Sequence, residues 1–302
     1  MTQYVSPVLF SGIPGNAGAV GHQFRNWLTG YKIAKHYGLT FAHSPFSGKH
    51  TQVQIDVPVE RWESFLNFGE GEVQRSDLVD TEVVKLPRKP WNQARVDHPD
   101  IHRIINSYQN KDNVLFECPD NQFMPINWDI FKNNRFKAKY WQARESSSPP
   151  LPFDNDYVSV AVHIRRGDVT AQRYPDRYLS NAFYRKVLDQ LIDHLHMPDI
   201  HIFSEGDIDD FKELHDIPTV HFHLGTNVFE TFHAMVSADV FVTGVGSFSI
   251  LAAHLTNNVI VTKPWNLYWT NFPEDTKIVP ITGDGNISKE VLVNACLKTE
   301  WY

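Results

Sequence analysis

The residue types best suited to chemistry lie mostly in the second half of the chain. Val160-Ala161-Val162-His163-Ile164-Arg165-Arg166-Gly167-Asp168 runs an apolar strand straight into two arginines, a glycine and a carboxylate. Arginine at the carboxyl end of a strand in a parallel sheet points into the ligand crevice. Its planar fork matches a pair of phosphate oxygens, and its charge does not titrate. The chemistry suggested is the binding of a diphosphate and neutralisation of its charge as it departs. The plainer alternative is a solvated pair of charges at a strand end.

A second run, Ser237-Ala238-Asp239-Val240-Phe241-Val242-Thr243-Gly244-Val245-Gly246-Ser247-Phe248-Ser249, takes another strand through two glycines into a helix. Free backbone N–H groups at that helix start, with the helix dipole behind them, make an anion site. Ser247 alternatively serves as the N-cap of its own helix. The third candidate is the glycine-rich loop from Gly12 to Gly21, followed by His22-Gln23-Phe24-Arg25-Asn26. It carries neither a Gly-x-Gly-x-x-Gly spacing nor a Gly-Lys-Ser/Thr triplet, so it meets no dinucleotide or P-loop fingerprint. A long connecting loop is its bland reading. Among the fifteen histidines, His221-Phe222-His223 and His194-Leu195-His196 match no established ligand spacing, so no metal is expected.

The elements that must position these residues are α/β in pattern. Val8-Leu9-Phe10 reads as a strand, and Phe24, Trp27, Leu28, Tyr31 and Ala34 fall on one helical face that Gly38 ends. Residues 39–42 and 114–116 read as further strands, while 44–150 is otherwise irregular. The serine- and proline-rich stretch 146–152 cannot sustain helix or sheet pairing. It marks a boundary between an N-terminal α/β domain, 1–148, on the acceptor side, and a C-terminal domain, 149–302. In the latter, strands at 157–163, 200–204, 219–223, 238–243 and 258–262 alternate with helices near 180–196, 207–215, 228–236 and 247–256. Such alternation predicts a parallel sheet with helices on both faces, a Rossmann-like domain.

Composition sets the outer limits. With 28 Lys+Arg against 35 Asp+Glu over 302 residues, the formal net charge is −7, which argues against non-specific nucleic-acid or anionic-membrane binding. Two cysteines, Cys118 and Cys296, build no disulfide framework. A start without a basic stretch and apolar run predicts no signal peptide, and no apolar segment approaches a direct membrane span. The expectation is a soluble, cytoplasmic chain.

Taken together, the motifs resemble the GDP-fucose-dependent fucosyltransferase superfamily of α1,2-, α1,6- and protein O-fucosyltransferases. His163-Ile164-Arg165-Arg166-Gly167-Asp168 is similar to its His-x-Arg-Arg-x-Asp motif. Phe232-His233-Ala234-Met235 through Ala253 is similar to the C-terminal motif in which Ser-Phe-Ser precedes small residues. Gly21-His22-Gln23-Phe24 is similar to Gly-Asn-Gln-x-Phe with His22 in place of Asn, and Ile202 to Asp207 follows the strand-end Ser-Asp-Asp only loosely. The resemblance covers 157–262 well, 1–43 thinly, and nothing between.

It implies a GT-B-like fold of two Rossmann-like domains and an inverting, metal-independent glycosyltransferase with no cofactor. The partners implied are a nucleotide sugar, GDP-fucose favoured, and a glycan or glycoconjugate acceptor. Arg165 would grip the β-phosphate; Ser247 and Phe248, with Gly246 and Ser249, would complete the phosphate site. His163 and Asp239 would lie near the nucleoside, and Arg166, Gly21 and Gln23 would join the donor site. Inversion needs a general base for the acceptor hydroxyl, for which Asp168, Asp176 and His22 are candidates; Asp168 serves equally well to orient the arginines. A donor such as UDP-xylose, a binding protein without turnover, and a sulfotransferase are the competing readings. The last would need a Lys or Arg in residues 12–21, which hold neither.

Overall fold

The computed structural model describes residues 2–9, 20–46, 59–89, 95–119, 135–154, 156–218, 220–264 and 276–297. The chain divides into two compact units, Met1–Ser146 and Ser147–Tyr302. No helix among the described residues is long and apolar enough to cross a membrane.

The first unit contains β1 (Gln3–Pro7), α1 (Val20–Tyr37), β2 (Thr40–His43), α2 (Val59–Leu66), β3 (Val73–Gln74), β4 (Glu82–Lys85), α3 (Pro99–Ser107), β5 (Val114–Cys118) and α4 (Arg135–Ser146). The strands form a parallel sheet in the order β3-β2-β1-β5-β4. The first strand lies earlier than the apolar run at 8–10 suggested. Gln3 to Pro7 pair residue by residue with Val114 to Cys118; beyond them the Val8 N–H donates to the Cys118 carbonyl at 2.8 Å and the Asn113 N–H to the Thr2 carbonyl at 2.9 Å. Polar Gln3 and Ser6 mask this strand in the sequence; its neighbours on both sides decide it.

The core of this unit is aromatic. Trp27 is fully buried, with Phe41 and Phe136 edge-on to it at 4.9 and 4.7 Å. Its indole N–H donates to His43 Nδ1 at 2.9 Å. The imidazole therefore carries its proton on Nε2, which lies 2.7 Å from Glu63 Oε2. Glu63 Oε1 accepts from the Phe46 N–H at 2.8 Å. This chain of bonds ties α1, β2 and α2 together with each polar group satisfied.

The second unit contains β6 (Val158–Ile164), α5 (Asn181–His194), β7 (Pro198–Ser204), a 3₁₀ segment (Ile208–Leu214), β8 (Val220–Leu224), α6 (Val228–Ser237), β9 (Val240–Val242), α7 (Ser247–Leu255), β10 (Val259–Thr262), β11 (Ile278–Pro280) and α8 (Lys289–Leu297). The 3₁₀ segment stands where an α-helix is expected, its backbone kinked at Phe211. All six strands are parallel, in the order β11-β10-β9-β6-β7-β8. Each face is covered by helices. Val160, Val162 and Ile164 pack in one cluster with Tyr184, Val187, Leu188 and Leu191 of α5 and Leu292 of α8. On the other face His163 meets Phe248 of α7, which packs on Phe232 of α6. Burial on both sides explains why these strands read as unbroken apolar runs.

From β6 the chain moves outward to β7 and β8, then returns to the other side of β6 for β9, β10 and β11. That is the dinucleotide-binding strand order, and its reversal point is the crevice between β6 and β9. Ligands of such sheets bind there, outside the carboxyl ends of the strands.

Candidate functional site

The two strongest motifs converge on that reversal point. β6 ends at Ile164 and is followed by Arg165 to Asp168; β9 ends at Val242 and is followed by the loop into α7. Within the first turn, the Arg165 guanidinium donates from Nη2 to Asp168 Oδ1, and the two side chains are 26% and 19% exposed. The charge is thus held in place but remains open to solvent on one side.

The paired arginines do not act as a pair. Successive residues leaving a strand point to opposite sides, and Arg166 is buried. Its Nη1 donates to the Arg165 carbonyl at 3.0 Å and its Nη2 to Asn181 Oδ1 at 2.6 Å. Its guanidinium lies 4.5 Å from the Tyr178 ring and 5.8 Å from Phe211. Arg166 fastens the 165–180 loop to α5 and the 3₁₀ segment. The contacts of Arg166 among the described residues are packing contacts.

Gly167 shows why the motif has a glycine there. Its φ is +71°, and a Cβ would stand 1.8 Å from Glu205 Oε2. Glu205 follows the last residue of β7, where Ser204 Oγ donates to the Ile164 carbonyl at 2.7 Å and locks the two strand ends. Burial raises the Glu205 pKa, the Arg165 charge lowers it, and the Asp168 charge raises it; the net is upward. Glu205 thus belongs to the Arg165–Asp168 cluster, although the motif reading passed it by. The available signal was a carboxylate directly after a core strand of the parallel sheet.

Across the crevice, α7 begins where the pattern places it, without the alternative Ser247 cap. Its N-cap is Gly246, with no side chain capping it, and Ser247 is the first helical residue. The first helical hydrogen bond runs from the Ile250 N–H to the Gly246 carbonyl at 3.1 Å. The backbone N–H groups of Ser247, Phe248 and Ser249 precede it and point out of the helix end. Ser247 and Phe248 are half-buried, whereas Ser249 is buried. Ser249 Oγ lies 2.5 Å from His163 Nδ1, so Ser249 and His163 form an internal buttress behind the loop. Burial, then the Arg165 charge, depress the His163 pKa to about 3, and the ring is neutral.

The two glycines of this loop differ in what requires them. A Cβ on Gly244 would fall 2.7 Å from the His163 carbonyl oxygen and 2.8 Å from Nδ1. A Cβ on Gly246 would meet nothing within 4 Å, and its φ of 178° suits any residue. No internal contact among the described residues calls for a glycine at 246.

Other expected site residues lie elsewhere. Asp239 precedes β9, and its Oδ2 accepts from the Ser159 N–H at 2.9 Å and the Ser159 hydroxyl at 2.7 Å. The β6–β9 register pairs Val160 with Val240, which puts Asp239 at the amino edge of the sheet. Four residues of strand, about 13 Å, separate that edge from His163. Asp239 therefore stands away from His163 and the crevice, and it clamps β9 to the start of β6. Asp176 is exposed on the 171–177 turns. Gly21, His22 and Gln23 belong to the first turn of α1, with Gly21 and Gln23 buried. Residues 10–19 of the glycine-rich loop lie outside the described residues. His221 and His223 do share a face of β8, towards β7. Among the described residues the convergent metal-ligand set is Asp199, His201 and His221, in the amino-terminal parts of β7 and β8 and not at the crevice.

No protein-family model matches the chain, and no curated protein matches it in sequence. In structure it is similar to POFUT1 in complex with GDP, at 12% identity and a TM-score of 0.44, covering 86% of this chain and 98% of that one. POFUT1 in complex with GDP-fucose is similar at 12% identity and a TM-score of 0.43, covering 85% and 94%. The E. coli heptosyltransferase WaaC with ADP aligns over 99% of this chain and 97% of that one, at 12% identity and a TM-score of 0.37. The two α/β units of this chain, each a parallel sheet flanked by helices, make a GT-B-like architecture.

Proposed function

We propose that this chain is an inverting glycosyltransferase that moves a sugar from a nucleotide diphosphate to a glycan hydroxyl, with GDP-fucose the favoured donor. The observation that carries the reading is the placement of Arg165 and the α7 N-terminus on the two sides of the sheet's reversal point. A diphosphate seated there meets a guanidinium fork and a row of backbone N–H groups. Gly246 lets the backbone come close, since among the described residues no side chain stands before it.

Glycosyl transfer passes through an oxocarbenium-like state, and the largest electrostatic task is the charge that grows on the departing diphosphate. Arg165, held by Asp168, answers that charge. Asp168 is thereby engaged as the orienting carboxylate. Glu205 is the better proton acceptor, because its raised pKa brings a carboxylate nearer the working pH of a general base. His163, neutral and tied to Ser249, holds the loop and takes no proton in the reaction.

The test is a thermal-shift panel of nucleoside diphosphates and nucleotide sugars, since binding to the native state raises its melting temperature by mass action. A selective shift with GDP and GDP-fucose, lost in Arg165→Ala, supports the proposal; a shift with UDP-xylose instead assigns the other donor. If no nucleotide shifts the transition, the proposal fails. Selective binding with no released GDP over many turnovers, across a panel of glycan acceptors, identifies a binding protein in place of a transferase.

A further inference from the structure

A second constellation stands on the same sheet but away from the reversal point. Asp199 and His201 alternate along β7, and His221 and His223 along β8; the register sets His201 beside His221 and Phe203 beside His223. Asp199 Oδ1 lies 2.9 Å from His201 Nε2 and 3.4 Å from His221 Nε2. The three ligand atoms all fall within 4.8 Å of one another.

Further contacts hold these side chains. His201 Nδ1 lies 2.7 Å from His223 Nε2. His201 is 4% exposed, and its Nε2 faces the Asp199 carboxylate. In the tautomer that carries its proton on Nδ1, His201 donates to His223 and turns its Nε2 lone pair to the side where Asp199 Oδ1 and His221 Nε2 lie, the form a metal ligand needs. Asp199 is oriented from behind, because its other oxygen accepts from the Asp154 N–H at 2.9 Å.

We infer that Asp199, His201 and His221 form a site for a divalent transition-metal ion of the zinc class. Bonds of about 2.0–2.1 Å at tetrahedral angles put ligand atoms about 3.3 Å apart, and the two measured separations bracket that value. Two neutral imidazoles and one carboxylate suit zinc-like ions; magnesium and calcium favour all-oxygen sets. The contact between His201 Nδ1 and His223 Nε2 and the hydrogen bond from the Asp154 N–H to Asp199 are outer supports of the kind such sites use to fix ligand orientation. His221, 58% exposed in its side chain, leaves the remaining coordination open to solvent.

The role that follows is structural. β8 is the edge strand of its sheet, and Phe153, before β6, packs edge-on to His201 at 5.0 Å. An ion there joins β7, β8 and the segment entering β6. Asp199 lies six residues of strand, about 20 Å, from Glu205, so the ion takes no part in sugar transfer.

The deciding experiment titrates Zn²⁺ into the full chain after removal of bound metal, with calorimetry and thermal unfolding read in parallel. One ion per chain and a rise in melting temperature are expected. His221→Asn, at an exposed position that leaves the fold intact, should weaken the affinity at least tenfold and abolish most of the thermal rise. His196→Asn, at an exposed histidine outside the cluster, should leave both unchanged. Asp199→Asn gives a second reading wherever its circular dichroism matches the parent. Absence of stoichiometric Zn²⁺ binding, or equal affinity in parent and His221→Asn, overturns the inference.

Discussion

Arg165 and Arg166 are neighbours in sequence with opposite fates, and their substitutions should separate accordingly. Arg165 is partly open and held by Asp168 alone among the described residues. Arg165→Ala should leave the unfolding curve near the parent's while lowering transfer by about 10²–10³-fold, the cost of removing a preorganised charge from a developing anion. Steady-state kinetics with GDP-fucose measures it. Arg166 is wrapped by Tyr178, Phe211 and Asn181. Arg166→Ala should cost about 2–3 kcal/mol in urea unfolding, from lost packing and charge-assisted hydrogen bonds. Glu205 adds a pH signature. Its pKa lies above the ordinary carboxylate value, so the parent rate should fall as acidification protonates it, and Glu205→Gln should be slow at every pH and lack that acid limb.

At the scale of elements, the loop from β9 to α7 carries the sharpest contrast. Gly244→Ala drives a methyl into the His163 backbone and ring, and should destabilise the protein by about 2–3 kcal/mol through overpacking. Gly246→Ala meets open space; it should leave stability within about 0.5 kcal/mol of the parent and weaken nucleotide binding by filling the approach to the helix end. Thermal melts with and without GDP distinguish the two. The sequence pattern found this loop and the strands beside it, because apolar runs ended by glycines are local signals. It placed the helix start at 247, and the alternative in which Ser247 caps its own helix gives way to Gly246 as the N-cap. It also took β1 from Val8 to Phe10, where cross-strand pairing with β5 selects Gln3–Pro7.

At the scale of the molecule, the net charge of −7 says little about a site whose positive charge is one guanidinium and one helix end. Acid stability is a better global readout. Burial holds the folded His163 pKa down at about 3, below its ordinary value of 6.5. Above pH 6.5 both states leave it neutral. Between pH 6.5 and 3 the unfolded chain binds a proton that the folded chain refuses, so stability falls with pH across that window. Urea unfolding at a series of pH values should show this, and His163→Gln should flatten the dependence. What the sequence determined by itself is the class of the fold and the two motifs, since apolar alternation, glycine stops and an arginine after a strand are properties of a dozen consecutive residues. What only the tertiary structure decided is who meets whom. The strand order sets Arg165 across from α7, one pleat turns Arg166 inward, the β6–β9 register carries Asp239 to the far edge, and the β7–β8 register gathers Asp199, His201 and His221. Each depends on which strands pair and in what register, and that is settled by burial and hydrogen bonding between segments 20 to 80 residues apart.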